Sequence, residues 1–205
     1  MPILTFQTFD DAWDELIQTG HFSLNNAALS LKELYQLYGY VKICSAPLSI
    51  YLCDIRLIPT HTIKSDMPSD VLTQAINTLE QTLLNLLNHD RWQLIQLNKI
   101  ELIENLSLSD DFYYNFLSTS YHSNLKKLNL YLPKASLEPY FMQFLKNNPE
   151  LETLTLDLAY ESNGFIEELA SSITNSPIKK LDLGNTHLDS NAYNALDSLL
   201  DNYYY

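Results

Sequence analysis

The chain has 205 residues, with 12 Lys and Arg against 25 Asp and Glu, giving a formal charge of −13. Two cysteines cannot make a disulfide scaffold, four glycines exclude collagen-like and glycine-linker chains, and 46% apolar content is too high for a disordered protein. Nucleic acid is also an unfavourable partner, because phosphate backbones are bound by Lys and Arg that displace counterions.

The stretch Met1 to Phe9 has neither the basic flank nor the apolar core of a secretory signal. Nowhere do about 18 apolar residues follow one another, so no membrane-spanning helix is expected. Phe9 to Ile17 reads as a short acidic helix with Trp13, Leu16 and Ile17 inward. Ser30 caps a second helix carrying Leu31, Leu34, Tyr35, Leu37 and Tyr38. Tyr40 to Cys44 alternates and reads as a strand, able to pair with the Ile50 strand through Ser45, Ala46 and Pro47. Residues 1–46 are therefore expected to be a mainly helical N-terminal cap, with a separate recruiting module as the sharper alternative. The two cysteines, Cys44 and Cys53, have apolar neighbours and suggest buried free thiols in a reduced, cytoplasmic compartment.

From residue 47 onward one spacing recurs. Pro47, Ile50, Leu52, Ile55 and Leu57 occupy positions 1, 4, 6, 9 and 11 of a template that Trp92, Ile95, Leu97, Ile100 and Leu102 repeat. Leu125, Leu128 and Leu130 carry its first three positions, as do Leu151, Leu154 and Leu156, and then Ile178, Leu181 and Leu183. About five irregular copies thus start near 47, 92, 125, 151 and 178. The segments between them have helical spacing. Ser69 opens the first helix, Ser109 or Asp110 caps the second, Ser136 the third, Asn163 precedes the fourth and Ser190 the fifth.

Alternating strands and helices imply a parallel sheet. A sheet covered on both faces would show continuous apolar strands. Here Lys127, Asp157, Lys180 and Asp182 alternate with leucines, and burying such charges unpaired costs several kcal/mol each. One face is therefore wet, and the 39 leucines mark the other. The expected fold is an α/β solenoid: a curved parallel sheet on the concave face and helices on the convex one.

The L-x-x-L-x-L spacing, followed by Leu188, Ala192 and Leu196 at intervals of four, resembles the leucine-rich repeats of ribonuclease-inhibitor type. The resemblance covers roughly residues 92–200, and 47–91 more weakly. It departs at the ninth position, usually Asn or Cys but here Ile55, Ile100, Pro133, Ala159 and Thr186, with Asn185 one residue away. Irregular turns are expected as a result. The LPxLP signature of bacterial ubiquitin-ligase repeat domains is absent. With 18 asparagines and few glycines, the composition is similar to that of leucine-rich-repeat effectors of intracellular bacteria. That resemblance implies a virulence role on a host protein in the host cytoplasm, reached without a classical signal peptide.

No chemistry is legible. His21, His61, His89, His122 and His187 have no His or Cys at zinc spacing, so no metal site is expected. There is no phosphate loop and no nucleophile elbow. The pairs Asp10/Asp11, Asp110/Asp111 and Glu167/Glu168 sit in first helical turns or on helix faces, where they complement the helix dipole. No catalytic residue and no cofactor are assigned. An enzyme with an unrecognised site near His61 is the minor alternative.

The expected function is a non-catalytic protein–protein interaction module that binds on the wet strand face. Its candidate partner-binding residues are Tyr51 on the first strand, Leu94, Gln96 and Asn98 on the second, and Lys127, Asn129 and Tyr131 on the third. Thr153, Thr155 and Asp157 follow on the fourth, and Lys180 and Asp182 on the fifth. Tyr51 and Tyr131 are of the type that anchors interfaces. The alternative is a regulator, a GTPase-activating protein or ubiquitin-ligase adaptor, the former needing Arg56 or Arg91 exposed. The end, Tyr203, Tyr204 and Tyr205, reads equally as a cap on the last repeat, a self-association contact beside the bare last strand, or the cut end of a longer chain.

Overall fold

In a computed structural model, which describes residues 8–59, 68–102, 107–119, 122–160, 163–174, 176–184, 186 and 189–203, strands and helices alternate throughout. The first half contains α1 (Phe9–Thr19), β1 (His21–Ser30), α2 (Leu31–Ile43), β2 (Leu48–Ile58), α3 (Ser69–Leu87) and β3 (Trp92–Glu101). The second contains α4 (Asp110–Thr119), β4 (Lys127–Leu132), α5 (Glu138–Asn147), β5 (Thr153–Leu158), α6 (Asn163–Ile173), β6 (Lys180–Asp182) and α7 (Ser190–Tyr203). The described strands form one six-stranded sheet in the order β1-β2-β3-β4-β5-β6, and every neighbouring pair is parallel. The protein is thus α/β, with each strand laid beside the one before it.

The leucine template sets the register. Ile50, Ile95, Leu128, Leu154 and Leu181 lie side by side across five strands, and Leu52, Leu97, Leu130 and Leu156 form the next row. Apart from Leu181, which is half-buried, these side chains are buried. Each contributes about 1.5–3 kcal/mol by leaving water. Helices pack over this leucine face in chain order, α2 on α3, α3 on α4, α4 on α5 and α6 on α7. The opposite side chains are half-buried or exposed, as expected when all crossovers turn the same way.

The template's three-residue step from position 6 to position 9 has a backbone cause. Simple alternation would turn the ninth residue outward. Asp54 in β2 and Asn26 in β1 both adopt φ 51°, and they occupy equivalent places between paired residues. A left-handed residue resets the alternation, so Leu52 and Ile55 both point into the core while Asp54 faces out. Asn and Asp are the side chains that tolerate this region best.

Several expectations are corrected. Tyr40 to Cys44 is not a strand: Tyr40–Ile43 is the last turn of α2, and Cys44 is its C-cap. The Ser30 capping box with Glu33, and the buried stripe Leu34, Leu37 and Val41, carry the helical period through to the end. The partner of β2 is β1, an unforeseen strand within residues 1–46. Phe22, Leu24, Ala27 and Leu29 pair with Ile50, Leu52, Ile55 and Leu57, which makes Thr19 the first position of a sixth template copy. Ile17 is not inward but 53% exposed, because Ala12 and Leu16 fill the contact and Trp13 is half-buried.

Neither cysteine is buried. Cys44 ends α2, Cys53 points outward from β2, and both are half-exposed thiols outside any disulfide. Ser136 is not a helix cap, because it lies in a 3-10 turn ahead of α5, whose start carries Pro139. For α7 the cap is Asp189, whose carboxylate accepts from the N–H groups of Asn191 and Ala192, rather than Ser190. Ser109 does cap α4, its hydroxyl accepting from Phe112 N–H, and Glu80 grips its N–H and hydroxyl.

Two of the buried polar residues, His122 and Asn148, lie in turns that lead from helix into strand. His122 N–H donates to Asn148 Oδ1 at 2.8 Å, and Asn148 Nδ2 donates to Phe144 O at 2.8 Å. His122 Nδ1 lies 3.2 Å from His89 O. Three successive turns are thereby tied together, on the opposite side of the sheet from the ninth position where an asparagine was sought.

Candidate functional site

The wet strand face is built by register. Its first row, at the strand starts, is His21, Ser49, Leu94, Lys127, Thr153 and Lys180. The second row is Ser23, Tyr51, Gln96, Asn129, Thr155 and Asp182. A third contains Asn25, Cys53 and Asn98 on one side, and Tyr131 beside Asp157 on the other. The twelve residues singled out from the sequence therefore fall into three rows of one face. The side chain of Asn98 lies outside the described residues. Lys127, Lys180 and Asp182 are exposed, and the other eight are half-buried.

The sequence reading missed the contribution of β1. His21, Ser23 and Asn25 extend all three rows, and the His21 ring meets Tyr51 edge-on at 4.7 Å. Asn26, a residue suited to a left-handed turn and flanked by Leu24 and Leu29, was the signal that could have located this strand.

Charge divides the face from the rest of the chain. The six strands hold four cations, Arg56, Lys99, Lys127 and Lys180, and four anions, Asp54, Glu101, Asp157 and Asp182. They sum to zero, so the whole −13 lies on helices, turns and termini. The Lys-Lys doublets are each split between two environments. Lys126 bonds Glu150 at 2.8 Å, and Lys179 bonds Glu152 at 3.1 Å. The hydrogen bond that Lys126 donates to Glu150 raises its ammonium above the ordinary value, while the hydrogen bond from Lys179 holds the Glu152 carboxyl below its own. The second lysines, Lys127 and Lys180, point onto the open face.

Both aspartates of β5 and β6 turn toward the turn after β6. Asp182 Oδ1 accepts from Gly184 N–H at 3.0 Å. Asp157 covers Gly184 so closely that a Cβ there would lie 1.7 Å from its Oδ1.

Elsewhere among the described residues, the most strongly shifted histidine is a buried one, His122. His122 is fully buried between the Phe116 and Phe144 rings, each 6.3 Å away. Burial pushes its imidazole down to about 4, against smaller upward effects of the His89 carbonyl and Asp90. It is therefore neutral at pH 7 and sits under the helices, away from the strand face. Among the described residues no three His, Cys, Asp or Glu side chains could share a metal ion, and no helix is long and apolar enough to cross a membrane. His61 and His187 lie outside the described residues, as do Tyr204, Tyr205 and the side chain of Tyr203. The two arginines, one of which the GTPase-activating alternative needs exposed, stand in different surroundings. Arg56 is exposed on β2, and Arg91 is half-buried in the turn before β3, 3.9 Å from Asp90. On the helix side, an opening of about 210 Å³ lies between α5 and α6, with Met142, Leu145, Leu151, Ile173 and Ile178 among its lining residues.

A sequential parallel α/β sheet with one open face defines the class of this protein as far as the fold goes. Comparison with known protein families and with curated proteins finds no match for the chain.

Proposed function

We propose that this chain is a non-catalytic protein-interaction module, built as a leucine-rich-repeat solenoid of ribonuclease-inhibitor type, and that its strand face is the binding surface. In this reading β1 is the first strand of the solenoid, and the residues ahead of it serve as the N-terminal cap. The observation that carries this reading is the contrast between the two faces of one sheet. Leucines and helices occupy one, while the other presents three registered rows of Tyr, Asn, Gln, Thr, Lys and Asp on rigid backbone.

Rigid strands hold side chains in fixed positions, which lowers the entropy lost on binding. Tyr51 and Tyr131 supply large anchors with few rotamers. The neutral total of the strands lets the face meet a partner without the repulsion or steering of the −13 surface, since the Debye length is only about 8 Å at physiological salt.

The test compares two sets of variants in quantitative affinity purification. Tyr51→Ala with Tyr131→Ala alters the strand face, and Glu167→Lys with Glu168→Lys alters the outside of α6. A partner retained by the α6 variant and lost by the strand variant supports the reading. The opposite result refutes it.

A further inference from the structure

The open face is chemically asymmetric. Across β1, β2 and β3 its first two rows contain no Asp, Glu, Lys or Arg: His21, Ser49, Leu94, then Ser23, Tyr51, Gln96. All its charges in these rows lie on β4 and β6.

Those charges are not equally available. The anions Asp182 and Asp157 are engaged with the Gly184 turn, the first by a hydrogen bond and the second by close packing. Lys127 and Lys180 are exposed, and neither has a hydrogen bond or ion pair among the described residues. Their neighbours Lys126 and Lys179 take up Glu150 and Glu152 instead. Lys127 and Lys180 share one row, separated by Thr153 on β5, so their backbones stand about 10 Å apart at two strand spacings. Leu94 occupies the next place in that row.

We propose that the row Leu94, Lys127, Thr153 and Lys180 receives an acidic segment of a protein partner, with carboxylates at the two lysines and an apolar side chain at Leu94. This rests on the strand-face reading above and gives it a partner chemistry. The acidic remainder of the chain does not oppose it at short range, because salt screens charges beyond about 8 Å. Affinity therefore depends on the local pairing.

Random dodecapeptides displayed on phage and selected against the full chain provide the test. The expected binders are enriched in Asp and Glu, carry an apolar residue, and weaken as salt is raised. Lys127→Glu with Lys180→Glu should reduce their affinity about tenfold or more, as two exposed pairs turn from attraction to repulsion. Lys127→Gln with Lys180→Gln should give a smaller loss, and thermal melting of each variant checks that the fold is intact. Binders without acidic enrichment that tolerate the lysine reversals yet are lost with Tyr51→Ala would overturn the acidic partner and leave the strand-face reading standing. Binders indifferent to both sets, or none recovered, would overturn both.

Discussion

Acid should unfold this protein earlier than its carboxylates alone require, and His122 is the reason. Its ring is 0% exposed and lies between Phe116 and Phe144. Nδ1 faces the His89 carbonyl at 3.2 Å, so that nitrogen carries the proton and Nε2 is the basic site. Nε2 is buried with no partner among the described residues. Protonating it would place a cation among apolar rings with no acceptor. The group titrates near 6.5 when unfolded and about 4 when folded. The folded state therefore binds fewer protons through this window, and its stability is lost as pH falls from 6.5 toward 4. A difference of that size corresponds to roughly 3 kcal/mol, a large share of the stability of a domain. The assay is urea unfolding across that pH range for the natural chain and for His122→Phe, which keeps the ring volume and the backbone N–H to Asn148. Carboxylate titration is common to both, so their difference isolates the imidazole. The natural chain should lose about 3 kcal/mol more than the variant over the window. Parallel losses would refute the reasoning.

Two further outcomes follow from the backbone. Asn26→Val puts a β-branched residue at φ 51° and should destabilise by about 1–2 kcal/mol, whereas Asn26→Gly should be neutral or better. Equal melting temperatures for the two variants would remove the left-handed residue from the explanation of the template. Gly184→Ala meets both an adverse φ of 54° and the Asp157 carboxylate, and should cost about 1–3 kcal/mol. In an Asp157→Ala background the steric part disappears, so a double-mutant cycle should show coupling, and simple additivity would contradict the packing described.

Much of the fold was legible because the repeat is written locally. Leucines at fixed spacing along one strand mark its buried side whatever the neighbouring strands do, and the lysines and aspartates between them marked the wet side. All twelve face residues could be selected in this way, since alternation alone assigns a side chain to one face or the other. The first strand was not legible. HFSLNNAALS breaks its alternation at Asn26, carries alanine at both the ninth and tenth template positions, and has no proline before it. Tyr40 to Cys44 misled for the opposite reason: five residues that alternate are too few to distinguish a strand from the last turn of a capped helix.

The amino-acid sequence by itself determined the alternation of strand and helix, the leucine face and the balance of charge between strands and surroundings. These are properties of residue type and spacing along the chain. Tertiary structure alone decided which residues from different repeats meet. It brought His21 against Tyr51, tied His89, His122 and Asn148 into one buried group, gave Lys126 and Lys179 their carboxylates, and left Lys127 and Lys180 facing outward. Such pairings depend on register between strands some 25–45 residues apart in the chain, and no local pattern specifies them.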